Sequence, residues 1–171
     1  GAGMLLYPAQ VAEVLAPIAE YPEIQFSLKM RLGWENASEC MVLVELLNAL
    51  RLSRIALHAR TGKQQYKGHP DLEAFQGFYE LCQHPLYYNG GIESLSDIRQ
   101  ILIRFPLLKG VFIGRGLLSS PLLAKEFKGN ETFLPEQRMS IYFAFHEELF
   151  SAYSQVLQGE TQLLVKMKTL W

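Results

Sequence analysis

Cysteine is scarce in this chain: 171 residues contain only Cys40 and Cys82. That is too few for a disulfide scaffold or a structural zinc site, and it fits a reducing, cytoplasmic setting. No apolar run reaches the roughly 18–20 residues that span a bilayer, and no basic-then-apolar signal layout opens the chain, so no membrane partner is expected. An excess of charge is also missing. Sixteen Lys and Arg face 17 Asp and Glu, a formal net charge of −1, which makes no global electrostatic case for nucleic acid. His58, His69, His84 and His146 have no carboxylate or cysteine at ligand spacing, so no metal is expected. What is present is 49% hydrophobic and 19% charged. That balance excludes disordered, collagenous and low-complexity classes and describes a globular protein. The length suits one domain with a sizeable core, or a domain plus a short helical appendix.

Four short apolar runs recur: Ile24 to Met30, Arg54 to Ala59, Leu86 to Asn89 and Gly110 to Ile113. Consecutive runs lie about 25–30 residues apart, the length of a strand plus a crossover helix. Helical spacing fills the gaps over Ser38 to Leu50, Asp71 to Leu81 and Ser96 to Arg104, with Asp71 and Ser94 placed as caps. Pro8 to Ala19 reads as one more helix ahead of the first strand. Alternation of this kind predicts an α/β fold with a parallel sheet. After Phe127 the pattern changes. Lys128 to Thr132 is polar, Pro135 opens a long helical stretch through about Leu157, and Glu160 to Trp171 reads as a second helix. A boundary is expected near residue 130, and the appendix beyond it is acidic.

The ends of the strands are where the chemistry concentrates. The first run leads into Lys29-Met30-Arg31-Leu32-Gly33-Trp34 and the second into His58-Ala59-Arg60-Thr61-Gly62. The third closes with Asn89-Gly90-Gly91 and the fourth with Gly114-Arg115-Gly116. In a parallel α/β sheet all carboxyl ends share one rim, so sequence-distant polar groups converge there. Period-two geometry puts Ser27, Lys29 and Arg31 on one side of their strand and Ala56, His58 and Arg60 on one side of theirs. The two glycine-bearing turns, one with an added guanidinium, suit an anion such as a phosphate. Taken singly, each of these features has an ordinary structural explanation: a salt-bridge lysine, a packed histidine, two turns. Their common position at four strand ends is what asks for a ligand. Cys40 and Cys82 fall on helical apolar faces and read as inert core thiols. Tyr142, Phe143 and Tyr153 read as helix packing.

Together, Lys29 to Trp34, His58 to Gly68 (HARTGKQQYKG), Asn89 to Ser94 (NGGIES) and Gly110 to Gly116 (GVFIGRG) resemble the tRNA-dihydrouridine synthases in order and spacing. The likeness covers residues 1 to 127 well and extends loosely into the helical tail. It implies an FMN-dependent enzyme that reduces particular uridines in tRNA to 5,6-dihydrouridine, with NADPH or NADH reloading the flavin. It further implies that Lys29 and His58 face the flavin, and that Asn89, Gly90 and Gly91, with Gly114 and Arg115, hold the FMN phosphate. Arg60, Gln64 and Gln65 would lie near the uridine and the tRNA-facing rim. The segment 131–171 would begin a helical domain that grips tRNA.

Two departures accompany the likeness. The family usually has Asp where this chain has Gly91, and its catalytic cysteine lies in an Asn-x-Gly-Cys-Pro stretch that this chain does not contain. A (β/α)8 barrel takes roughly 250 residues, whereas four strand–helix units stand here. The chain therefore reads as the C-terminal half of a synthase: a partial TIM barrel over 1–130 followed by helices. It supplies the flavin-contact half of the site and is expected to be inactive alone. In the whole enzyme the resemblance implies hydride transfer to a flipped-out uridine and protonation by the upstream cysteine. Half a barrel leaves two open sheet edges, which predicts self-association. Two other readings stay open: a flavin oxidoreductase acting on a small pyrimidine, and a non-catalytic phosphate-binding half-barrel.

Overall fold

The apolar runs form β1 (Phe26–Gly33), β2 (Leu52–Thr61), β3 (Leu86–Asn89) and β4 (Gly110–Phe112) in the computed structural model, which describes residues 1–168. The strands lie in sequence order in one sheet, and every pairing is parallel. Parallel neighbours require a crossover between them. These are supplied by α2 (Val44–Asn48), α3 (Leu72–Leu81) and α4 (Leu95–Arg104), with α1 (Pro8–Leu15) ahead of β1. This α/β arrangement has the strand order of one half of a (β/α)8 barrel, and helices follow it.

Four elements differ from their sequence expectation. Pro17 removes an amide donor, and the first helix tightens at Ala16 into a 3-10 turn over Ala16–Glu20. The stretch from Ser38 to Leu50 is a 3-10 turn over Glu39–Leu43 followed by one short α-helix, not a continuous one. β1 and β2 also run further than their apolar cores, to Gly33 and Thr61. Arg60, which follows the apolar run, therefore stands inside the same strand as His58. Asp71 does cap α3, its carboxylate accepting the Ala74 amide at 2.9 Å.

Leu28, Met30 and Leu32 alternate with the more exposed Ser27 and Lys29 along β1, while β2 is buried from Ile55 through Arg60. A central parallel strand is covered on both faces, which explains that continuous burial. Phe75, Phe78, Tyr88, Ile98 and Phe105 form the heart of the core. Phe75 meets Tyr88 and Phe105 edge-on, with ring centroids 4.9 and 5.0 Å apart, the geometry that aromatic quadrupoles favour.

The described chain divides into two compact units. The first comprises Gly1–Ile92 and Asp97–Phe112; the second comprises Glu93–Ser96 and the chain from Ile113 on. The second unit holds α5 (Arg115–Ser119), α6 (Leu123–Gly129), α7 (Pro135–Val156) and α8 (Glu160–Met167). Asn130, in the left-handed conformation at φ 48°, ends α6. Glu126 of α6 is buried and paired with Arg138 of α7. The last three residues of the helix expected over Glu160 to Trp171 lie outside the described residues.

Candidate functional site

Two rows of side chains cross the first unit's sheet from edge to edge. Lys29, Ala56, Tyr87 and Gly110 are successive register partners, and so are Arg31, His58, Asn89 and Phe112. Register partners in a parallel sheet share a face. The intervening row, Met30, Leu57, Tyr88 and Val111, faces the other way. The sheet thus presents its helix-covered side with apolar residues and its second side with polar ones. Lys29, His58 and Asn89, distant in sequence, meet on that second side.

The polar face is positively charged. The Lys29 pKa is pulled down, first by desolvation and then by the Arg31 charge. Arg31 Nη1 donates to the carbonyls of Thr61 and Gln65 at 2.9 and 3.3 Å, tying β1 to the loop after β2. His58 is 6% exposed and Arg60 4% exposed. Arg60 Nη1 lies 3.4 Å from His58 Nε2, and Nη2 donates to the Gly68 carbonyl at 3.1 Å. Arg60 Nε is buried and has no hydrogen-bond partner among the described residues. Asn89 Nδ2 donates to the Phe112 carbonyl at 2.8 Å, which fixes which end of its amide is oxygen.

After Asn89 the backbone turns through Gly90 at φ 140° and Gly91 at φ 59°. A Cβ at Gly90 would stand 3.2 Å from His58 Cδ2, and one at Gly91 would stand 3.0 Å from Pro70 Cγ. Both glycines thus hold positive-φ backbone that other residues rarely adopt, and a Cβ at Gly90 would press on His58. A cradle of this kind lets a ligand come close to backbone amides.

The remaining candidates are placed differently. Gln64 is spent inside its own loop: its side chain accepts from the Thr61 amide at 3.4 Å and donates to the carbonyls of Lys67 and His69 at 2.9 and 2.8 Å. Gln65 is exposed at φ 53°. Gly114 and Arg115 open α5 in the second unit, with Arg115 exposed. The loop after β1 is anchored by Glu39, whose carboxylate takes the amides of Trp34, Glu35 and Asn36 at 2.6, 3.1 and 2.8 Å. Desolvation alone would raise the Glu39 pKa, but those amides outweigh it and hold the carboxyl low. The expectation of two core thiols holds for Cys40 alone. Cys82 is half-buried and caps the end of α3, where the chain has turned extended.

Two residues of the polar face had no role in the sequence-based set: Tyr87, and Arg31, which alternation had only placed on the side of Lys29. Parallel register is the signal that finds them: Arg31 is level with His58, and Tyr87 with Ala56. Tyr87 also packs on Phe112, with ring centroids 5.4 Å apart.

A family model described as dihydrouridine synthase (Dus) matches residues 1–169. A probable tRNA-dihydrouridine synthase of Aquifex aeolicus is 34% identical over 128 residues, 73% of this chain and 40% of that protein. The corresponding protein of Rhizobium leguminosarum is 30% identical over 122 residues, 71% of this chain and 38% of its own length. The tRNA-dihydrouridine synthase B of Vibrio vulnificus is 25% identical over 140 residues, 80% of this chain and 43% of that one. The chain thus spans about two fifths of the length of these relatives. With the family match running through both units, the chain belongs to the dihydrouridine synthase family.

Proposed function

We propose that this chain is the FMN-contacting half of an enzyme that reduces uridine in tRNA to 5,6-dihydrouridine, with NADPH or NADH as the source of electrons. The observation that carries the reading is the polar face of the sheet. Lys29, His58 and Asn89 meet there beside a two-glycine turn that a Cβ would fill. These features fit FMN. A cationic face suits an anionic cofactor, Lys29 offers a donor to a ring heteroatom, and the Gly90–Gly91 backbone can approach a phosphate. The family resemblance assigns Gly114 and Arg115, which open α5 in the second unit, to the FMN phosphate. FMN, when bound, supplies the hydride. The chain's own residues hold and orient it, while Arg60, Gln64 and Gln65 shape the loop at the uridine side.

Protonation of the uracil ring needs a separate acid. Neither cysteine here serves. Cys40 is fully buried in the 3-10 turn over Glu39–Leu43 and Cys82 ends α3, so neither stands on the polar face. The family resemblance assigns that role to a cysteine in a stretch this chain does not contain, so the chain by itself is inactive. The segment 131–171 begins the part that grips tRNA, and that substrate implies work in the cytoplasm. No described helix is long and apolar enough to cross a membrane. β1 and β4 are edge strands, and self-association through them is expected to show in sedimentation as species heavier than one chain.

The test is flavin binding by the purified chain, followed by assay. Stoichiometric yellow FMN, with no dihydrouridine formed from unmodified tRNA and NADPH, supports the proposal. A colourless chain that FMN does not titrate supports the non-catalytic half-barrel, and turnover on free pyrimidines supports a small-molecule oxidoreductase.

A further inference from the structure

Arg60 is more deeply enclosed than His58, at 4% exposure against 6%. No carboxylate pairs with it among the described residues. A charge in that position must be held for a reason other than an ion pair, since burial of an unneutralised guanidinium is costly. Its contacts supply the reason. Arginine has only donors. The 3.4 Å approach of Nη1 to His58 Nε2 is a hydrogen bond only if Nε2 presents a lone pair, which places the proton of a neutral ring on Nδ1. An imidazolium would instead set two cations together where screening is weak. Arg31 is level with the ring on β1 and Lys29 precedes it on the same face, so the neighbouring strand adds further positive charge. On the other side stand Asn89 and, facing the helices, Tyr88, whose phenol feels both Arg60 and Asp97. Nη2 is fixed in turn by the Gly68 carbonyl at 3.1 Å. The guanidinium therefore spans from the loop at its far end to the imidazole.

We propose that Arg60 is a positioning residue that holds His58 as the neutral Nδ1–H tautomer and ties the loop from Thr61 to His69 down at Gly68. His58 then meets its ligand with one defined donor, and Arg60 acts through the histidine without touching RNA. This rests on the reading of the polar face as a flavin pocket, but its test does not.

The test is the long-range nitrogen–proton spectrum of the chain labelled with 15N-histidine, at pH 7.5 and without flavin. The His58 ring is assigned by its loss in His58→Gln. The expected pattern has a pyridine-like Nε2 and a protonated Nδ1. Arg60→Met should raise the Nε2–H population at the expense of the Nδ1–H form, while Arg60→Lys, which keeps a cationic donor, should retain more of the Nδ1–H form. A His58 ring in the native chain that is protonated at Nε2, or doubly protonated, overturns the assignment even if Arg60→Met does not fold. An Nδ1–H pattern that persists in folded Arg60→Met overturns it too. A colourless chain with the expected pattern would remove the flavin reading and leave Arg60 in its role. A yellow chain with Nε2–H would do the reverse.

Discussion

His58 and Asn89 are direct register partners on β2 and β3. The imidazole and the amide therefore project from the same face, although 31 positions separate them in the chain. A slip of one residue would put Leu57 or Tyr88 in their place, so the site is specified by whatever fixes the register. Burial of Met30, Leu57 and Tyr88 against the helices does that. The apolar row selects the face on which the polar row appears, and core packing and ligand chemistry are two sides of one strand pairing.

The turn after Asn89 should not tolerate a side chain at Gly90. Gly90→Ala would have to hold φ near 140° while its Cβ met His58 Cδ2 at 3.2 Å and the Tyr88 hydroxyl at 3.4 Å. Strain in such a region costs about 1–3 kcal/mol. Urea unfolding of Gly90→Ala is expected to show a loss of that size, and FMN titration a matching loss of affinity. A variant with unchanged midpoint and unchanged flavin binding would show that the turn is neither strained nor close to the ligand.

Much of this was readable from residues alone, for identifiable reasons. Leu86 to Asn89 was placed correctly because a short apolar run bounded by proline and glycine has few alternatives. Asp71 was recognised as a cap because a carboxylate before a helix finds amides to accept. Arg60 was harder. Alternation tells which side of β2 it takes, but its burial depends on the loop that closes at Gly68, a contact eight residues away that no periodicity encodes. The surroundings of Gln64 were hidden for a similar reason: its amide bonds three backbone groups of its own loop, contacts that no periodicity encodes. Cys82 looked like a core residue because it follows the apolar spacing of α3, but the helix ends one residue earlier.

In the second unit, Glu126 is expected to depend on Arg138. The carboxylate side chain is 3% exposed and its partner 35% exposed. Removing the partner alone leaves an uncompensated buried charge, which costs about 3–5 kcal/mol. Replacing both with apolar residues avoids that desolvation. Thermal unfolding should therefore rank Arg138→Met well below the native chain and the double variant Glu126→Met/Arg138→Met above the single one. Equal melting of the single variant and the native chain would mean the pair contributes nothing.

Alkaline stability should carry the mark of Cys40. Its thiol is pushed up to about 12 in the folded chain by burial, whereas an unfolded cysteine ionises near 8.5. Between those values the folded state keeps the proton and the unfolded state loses it. Stability is thus undiminished below about pH 8.5 and falls above it, by up to about 1.4 kcal/mol per pH unit from this one group. Tyr88, also raised to about 12 by burial, adds to the fall above its unfolded value near 10. Chemical denaturation between pH 8 and 10 should show a shallower decline for Cys40→Ala than for the native chain. Parallel declines would mean that the thiol is not protected as its burial indicates.

Lys29 gives the sharpest test of the polar face. Its ammonium is disfavoured first by desolvation and then by Arg31 beside it, so an anionic ligand gains by relieving repulsion as well as by accepting a hydrogen bond. A hydrogen bond to a charged group is worth about 1.5–3 kcal/mol, which corresponds to about a tenfold to hundredfold weaker FMN affinity in Lys29→Met. The same substitution removes a like-charge contact, so the ligand-free fold should be as stable as the native one or slightly more so. Flavin fluorescence titration and urea unfolding measured on one preparation separate the two effects. Weaker binding together with undiminished stability places the flavin against this face; unchanged binding would move it elsewhere.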